Sequence, residues 1–271
     1  MNYQFSYESQ GDRNNPVILF LHGFMGNSKV FAEAMSLLSA QFYCLAVDLP
    51  GHGQTQIFGS DSYYTMETTA VALVELLHEL KLDPCCLVGY SMGGRLALYL
   101  ACFFPQLFPK VVLESSSPGL KTERERENRR ESDGQLAQQL IDGNFANFLS
   151  TWYSKPLFNS LQQHPQFEQL LKSRLDNNPS KLAQSLLYMG TGSQPSLWQK
   201  LSQMENHLLL LVGARDDKFT AINSEMAVLC HHAQLEVIQG CGHNIHFEDV
   251  NQFVNRIRLF VACTEGRRSV C

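Results

Sequence analysis

The pentapeptide Gly89-Tyr90-Ser91-Met92-Gly93 stands where a short apolar run, 86–89, gives way to a segment of helical period, 93–103. A serine with glycines two residues to either side, in that setting, fits a sharp strand-to-helix turn that presses backbone together and holds the hydroxyl out at the strand end. Such a turn needs a buried strand before it and a helix after it, the repeating unit of a parallel sheet covered on both faces. The first 115 residues repeat that unit. Apolar runs at Val17–Leu21, Tyr43–Val47 and 111–114 alternate with helical periods at 30–38 and 65–80. The opening stretch 3–9 alternates apolar and polar residues, as an antiparallel edge strand does.

From 118 to 202 the rhythm stops: the chain turns polar, carries Trp152 and Trp198, and keeps a helical period without a convincing strand. The strand-helix pattern resumes with a strand at 208–212, a helix at 221–230, a strand at 235–238 and a final helix at 250–261. The chain is therefore expected to be α/β, with a mostly parallel central sheet, helices on both faces and an inserted helical lid. Core parts are expected at 1–117 and 203–263, the lid at 118–202, and a frayed tail at 264–271.

Composition narrows the function. Apolar residues make up 44% of the 271, enough for a substantial core, yet no apolar run approaches the roughly 18 residues needed to cross a bilayer. Twenty-one basic against 26 acidic side chains leave a net charge of -5, so no global field draws nucleic acid or anionic lipid. An anionic ligand must be held by local cations. The N-terminus lacks a basic and apolar leader, which points to a cytoplasmic protein, expected to be monomeric. Eight cysteines without a CxxC pair read as reduced thiols.

A serine hydroxyl becomes reactive when a histidine takes its proton and a carboxylate orients that histidine. His243 follows the last strand in Gly240-Cys241-Gly242-His243, and Asp216 follows the preceding strand in Gly213-Ala214-Arg215-Asp216. The order Ser91, Asp216, His243 is that of an α/β-hydrolase. Asp217 is the rival acid; Asp216 is favoured because it lies closer to the strand end. Leu21-His22-Gly23-Phe24-Met25-Gly26 follows the first parallel strand, which makes the N–H groups of Phe24 and Met92 the candidates for an oxyanion hole. Of the other histidines, His246 reads as exposed or packing, since no third ligand completes a metal site with His243. His231 and His232 read as surface residues, and His52 as a turn-shaping hydrogen-bond donor. Cys241 has no assignable role.

Arginine carries the substrate signal. Arg95 lies one turn beyond Ser91, toward the same pocket. Arg124, Arg126, Arg129 and Arg130 lie in the inserted segment, the last three on one helical face. A solvated helix laced with glutamates explains most of them singly, but an apolar ester needs none, whereas a polycarboxylate is gripped by guanidinium forks.

Together, HGFMG, DLPGHG, GYSMGGR, SPGL with the arginine-rich run ending in Arg129-Arg130-Glu131-Ser132-Asp133, Trp152-Tyr153 with Pro156, Arg174 with Asn177-Asn178, GARDDKF and CGHNIH resemble the 2-succinyl-6-hydroxy-2,4-cyclohexadiene-1-carboxylate synthases of menaquinone and phylloquinone biosynthesis. The likeness runs from about 17 to 260. It implies a Ser91, Asp216, His243 triad, an oxyanion hole at Phe24 and Met92, and substrate contacts from Tyr90, Arg95, Arg129, Trp152, Tyr153 and Arg174. Arg124, Arg126 and Arg130 remain alternatives to Arg129. The implied reaction is elimination of pyruvate from a small polycarboxylate, without cofactor or metal. Two rivals remain open: a serine esterase, thioesterase or carbon-carbon-bond hydrolase forming a covalent acyl-serine, and a binding protein that keeps the pocket without chemistry.

Overall fold

The computed structural model describes residues 2–262; the tail at 264–271 lies outside them. Along the chain run β1 (Tyr3–Gln4), β2 (Tyr7–Gln10), β3 (Val17–Leu21), α1 (Ala32–Leu38), β4 (Tyr43–Val47), β5 (Gln56–Ile57), α2 (Met66–Leu80), β6 (Cys86–Tyr90), α3 (Met92–Phe103) and β7 (Lys110–Glu114). Five helices follow: α4 (Glu123–Asp142), α5 (Phe145–Tyr153), α6 (Asn159–Gln162), α7 (Phe167–Arg174) and α8 (Pro179–Met189). The chain then returns to β8 (His207–Gly213), α9 (Asp217–Leu229), β9 (Ala233–Ile238), α10 (Ile245–Glu248) and α11 (Val250–Ala262).

Seven strands form one sheet in the order β2-β4-β3-β6-β7-β8-β9, parallel throughout except for β2. Successive side chains point to opposite faces, and both faces are apolar. Leu19, Leu21, Leu45 and Leu87 pack with Leu73 and Leu77 of α2 and Leu96 and Leu100 of α3. Ile18, Phe20, Cys44 and Val88 pack with Met35 and Leu38 of α1 and Phe253 and Ile257 of α11.

Two expected elements differ. The single edge strand at 3–9 is divided at Ser6, whose N–H donates to Thr55 Oγ1 and whose carbonyl accepts from Asp48 N–H. Only β2 continues along β4, while β1 turns off to pair with β5. Helix α9 begins at 217 rather than 221, because the Asp216 side chain caps it by accepting from Phe219 N–H at 3.1 Å. The first turn, Asp217-Lys218-Phe219-Thr220, has no apolar period to reveal it.

The strand order places the site. After β3 the chain leaves toward β4, and after β6 it leaves in the opposite direction toward β7. Adjacent strands whose connections diverge open a crevice at their C-terminal ends. The loops that begin at His22 and Ser91 border it. Helices α4 to α8 bury Leu140, Phe148, Leu161 and Leu182 together with Met25 of the loop after β3, which sets them over that crevice. Among the described residues, no helix is long and apolar enough to cross a membrane.

Candidate active site

Ser91 sits at φ 50°, ψ -106°, a left-handed conformation that costs a non-glycine residue of order 1–2 kcal/mol and persists only where its surroundings enforce it. The surroundings are tight: a Cβ on Gly93 would lie 2.1 Å from the Leu21 carbonyl oxygen, and one on Gly89 would lie 2.6 Å from that of Gly93. Backbone bonds hold the turn on both sides. Ser91 N–H donates to Glu114 O at 2.9 Å, and Arg95 N–H donates to Ser91 O at 3.0 Å.

His243 Nε2 lies 3.2 Å from Ser91 Oγ, and His243 Nδ1 lies 2.6 Å from Asp216 Oδ2. A carboxylate at Nδ1 requires the proton there, so Nε2 is left to accept from the serine hydroxyl. Asp216 and His243 are 4% and 3% exposed, whereas the rival Asp217 points to solvent on α9. The loop carrying His243 is braced by Glu248, whose two carboxylate oxygens accept from Gly242 N–H at 2.9 Å and Asn244 N–H at 3.3 Å.

Across from Ser91, Gly26 N–H closes on Gly23 O at 2.9 Å, with Phe24 and Met25 at the centre of the turn and Met25 at φ 63°. Such a turn makes no use of the Phe24 N–H. Met92 N–H, at the start of α3, has no intrahelical partner and carries the positive end of the helix dipole. Asn177 Nδ2 donates to Met25 O at 3.1 Å, tying the segment after α7 to this turn.

His22 holds the same loop from beneath. Its Nε2 accepts from Leu49 N–H at 2.9 Å and its Nδ1 donates to Gly23 O at 2.8 Å, a pattern open only to the neutral ring. Burial pulls its pKa down to about 4, and burial also holds His52, 5.0 Å away, well below the histidine range. His52 donates from Nδ1 to Pro50 O at 3.0 Å and shapes its turn. Unfolding frees both rings to protonate near the ordinary 6.5, so the unfolded chain binds more protons below that pH. Stability should therefore be lost as pH falls from 6.5 through about 4, by on the order of 3 kcal/mol for His22 alone at about 1.4 kcal/mol per pKa unit. Thermal melts across that window check this, and replacing His22 by Gln should flatten the profile.

A cavity of about 410 Å³ opens between the sheet ends and helices α4 to α8. Ser91, His243, Phe24 and Met92 are on its wall, as are Tyr90, Arg95, Arg129, Trp152, Tyr153 and Arg174; Asp216 meets His243 from outside the lining. Arg95 is 8% exposed and donates from Nη1 to Gln194 Oε1 and from Nη2 to Met189 O, each at 3.0 Å. Burial, then the charge of Arg129, lower its pKa to about 9, which leaves it cationic at neutral pH. Arg174, also buried, donates from Nε to Tyr153 Oη at 3.2 Å.

The arginine register is resolved by which row of α4 each residue occupies. Arg129, Asp133 and Leu136 follow one row, with Arg129 and Leu136 at the cavity and Arg129 Nε donating to Asp133 Oδ1 at 2.8 Å. Arg126 and Arg130 follow the neighbouring row, bound to Glu123 and to the carbonyls of Leu120 and Gly192. Arg124 is exposed. His246 also departs from a solvent-exposed reading: it is 5% exposed, with Nδ1 2.8 Å from Glu114 Oε2 and its N–H donating to Glu114 Oε1 at 3.0 Å. Glu114 thus anchors the Ser91 turn through its carbonyl and the loop after His243 through its carboxylate. Glu114, Glu248, Gln194 and the cavity-lining Lys155 carry no motif in the sequence; a glutamate at the end of a buried apolar strand was the one available signal.

A family profile described as alpha/beta hydrolase fold matches residues 16–250. A 2-succinyl-6-hydroxy-2,4-cyclohexadiene-1-carboxylate synthase of Escherichia coli O1:K1 / APEC is 35% identical over 234 residues, 86% of this chain and 89% of that relative. A protein of the same name from Serratia proteamaculans (strain 568) is 30% identical over 253 residues, covering 93% of this chain and 95% of its own. The solved structure of MenH from S. aureus superimposes with a TM-score of 0.89 at 32% identity, covering 96% of this chain and 97% of that one.

Proposed function

The chain belongs to the α/β-hydrolase fold family and, within it, to the 2-succinyl-6-hydroxy-2,4-cyclohexadiene-1-carboxylate synthases, and from that premise we propose that it expels pyruvate from 2-succinyl-5-enolpyruvyl-6-hydroxy-3-cyclohexene-1-carboxylate during menaquinone or phylloquinone biosynthesis. The two ring systems differ in a way that dictates the chemistry. The C3–C4 double bond of the substrate becomes a C2–C3 and a C4–C5 double bond, so the proton on C2 and the enolpyruvyl oxygen on C5 depart. C2 carries the succinyl ketone, which makes its proton the acidic one.

Ser91 Oγ takes that proton as its own passes to His243 Nε2, and Asp216 stabilises the imidazolium that results. The ketone oxygen gains the charge as an enolate and is met by the N–H groups of Phe24 and Met92. When the ketone re-forms, the electron pair moves through C2–C3, the old double bond shifts to C4–C5, and the C5–O bond breaks. The released enolpyruvate takes up a proton to become pyruvate. Arg95, Arg129 and Arg174 hold the ring, succinyl and enolpyruvyl carboxylates, with Tyr90, Trp152 and Tyr153 packed around the carbon frame. Segment 118–202 acts as a lid on core parts 1–117 and 203–263 and keeps water from the enolate. The scheme calls on no cofactor or metal.

Arg95 carries the reading. A buried guanidinium whose hydrogen bonds go to two neutral oxygens, one turn from the reactive serine, is built to receive an anion rather than an apolar ester. The test is a coupled assay in which the enolpyruvyl substrate is made enzymatically and pyruvate release is followed with lactate dehydrogenase. Release well above the spontaneous rate is expected; release at the spontaneous rate, with brisk hydrolysis of nitrophenyl esters, overturns the reading.

A further inference from the structure

The arginines do not contribute equal charge to the cavity. Arg129 arrives already matched: its Nε donates to Asp133 Oδ1 at 2.8 Å, and the Asp133 side chain is 3% exposed, so the pair presents little net charge. The guanidinium fork of Arg129 can still orient a carboxylate, but it cannot neutralise one. That leaves Arg95 and Arg174, which make no ion pair among the described residues, facing a ligand with three carboxylates.

Lys155 supplies what that count lacks. It follows α5 on the cavity wall, half buried, and its Nζ rests 3.9 Å above the centre of the Trp152 ring. The charges of Arg129 and Asp133 act on it in opposite senses, and burial is the first cause of its lowered pKa, with Arg129 the second. An ammonium on an aromatic face is held by a ring quadrupole worth about 0.5–2 kcal/mol, and a carboxylate competes for it readily. Lys218 also reaches the cavity, but it is exposed on the first turn of α9, where water screens it.

Resting on the pyruvate-elimination reading, we infer that Lys155 is a fourth substrate-binding cation, which exchanges its Trp152 contact for the carboxylate that Arg129 orients. Its charge replaces the one Asp133 cancels. Lys155 is thus a specificity-determining residue for a tricarboxylate over a dicarboxylate.

Lys155→Met keeps an apolar stem against Trp152 and removes the charge. KM for the enolpyruvyl substrate should rise about tenfold, as expected on losing one charged hydrogen bond, with kcat within about twofold of wild type. Lys155→Arg should restore most of the loss, and the salt dependence of KM should become shallower in Lys155→Met. In parallel, calorimetry with tricarballylate, a plain tricarboxylate, should show the same weakening, while glutarate binding changes little. An unchanged KM, or a fall in kcat or thermal midpoint alone, would mean that Lys155 only caps the end of α5 and would overturn the inference. If wild type releases no pyruvate, the calorimetric arm still decides: weaker tricarballylate binding in Lys155→Met upholds the carboxylate contact while the reaction assignment falls, and unchanged binding removes both.

Discussion

Replacing Ser91 by Ala is expected to slow pyruvate release by about 10³–10⁴-fold, the upper range for removing a positioned acid-base group, while KM stays near its wild-type value. Among the described residues the Ser91 hydroxyl bonds to His243 Nε2, at 3.2 Å, and alanine keeps the Cβ in the same strained backbone, so the turn and the proposed oxyanion donors survive the change. In the proposed mechanism Ser91 and His243 move one proton as a unit, so His243→Ala should cost about as much, and the double variant little more than either. The strain gives an independent check. Glycine tolerates φ 50° without penalty, so Ser91→Gly should be more stable than Ser91→Ala by about 1 kcal/mol and equally inactive. Pyruvate release and thermal melts on wild type, Ser91→Ala and Ser91→Gly read both effects. Near-normal release by Ser91→Ala would place the base elsewhere.

The elements to which this chemistry is assigned are legible in the sequence because they obey local periods. The parallel strands show as apolar runs, the elbow as glycines at fixed spacing around Ser91, and the choice of Asp216 over Asp217 as distance from a strand end. In the structure one Asp216 oxygen meets His243 while the other caps α9. What stayed hidden depends on contacts between distant segments. Glu248 secures the peptide groups on either side of His243, and Glu114 joins the Ser91 turn to His246 across 132 positions, yet each looks in sequence like any other acid. The arginine run was ambiguous for a different reason. Arg126, Arg129 and Arg130 share one broad helical face, but adjacent rows of that face look onto different neighbours. Only the partners of each row, Asp133 for one and Glu123 for the other, separate the cavity-lining arginine from those that fasten α4.

Arg95→Met should lower kcat/KM for pyruvate release by about 10²–10³-fold, corresponding to the roughly 3–4 kcal/mol that a buried, hydrogen-bonded charge pair loses when one partner is removed. Stability should respond far less. Taking a buried cation out of the interior is favourable, but it strips Met189 O and Gln194 Oε1 of their donor, and each unmade buried bond costs about 1–3 kcal/mol. These opposing costs confine the thermal midpoint to a shift of a few degrees. Arg95→Lys should recover only part of the activity, since a single ammonium cannot reach both of those oxygens and still present a fork to a carboxylate. The complementary change leaves Arg95 in place and cancels its charge. Gln194 is fully buried against Arg95, and Gln194→Glu would put a carboxylate where a neutral amide now accepts. The guanidinium would then enter the reaction already paired, as Arg129 does with Asp133, and KM should rise at least tenfold with the fold intact. If Gln194→Glu bound substrate as wild type does, Arg95 would be a packing cation rather than an anion receptor, and the case for a polycarboxylate would rest on Arg174 and Lys155 alone.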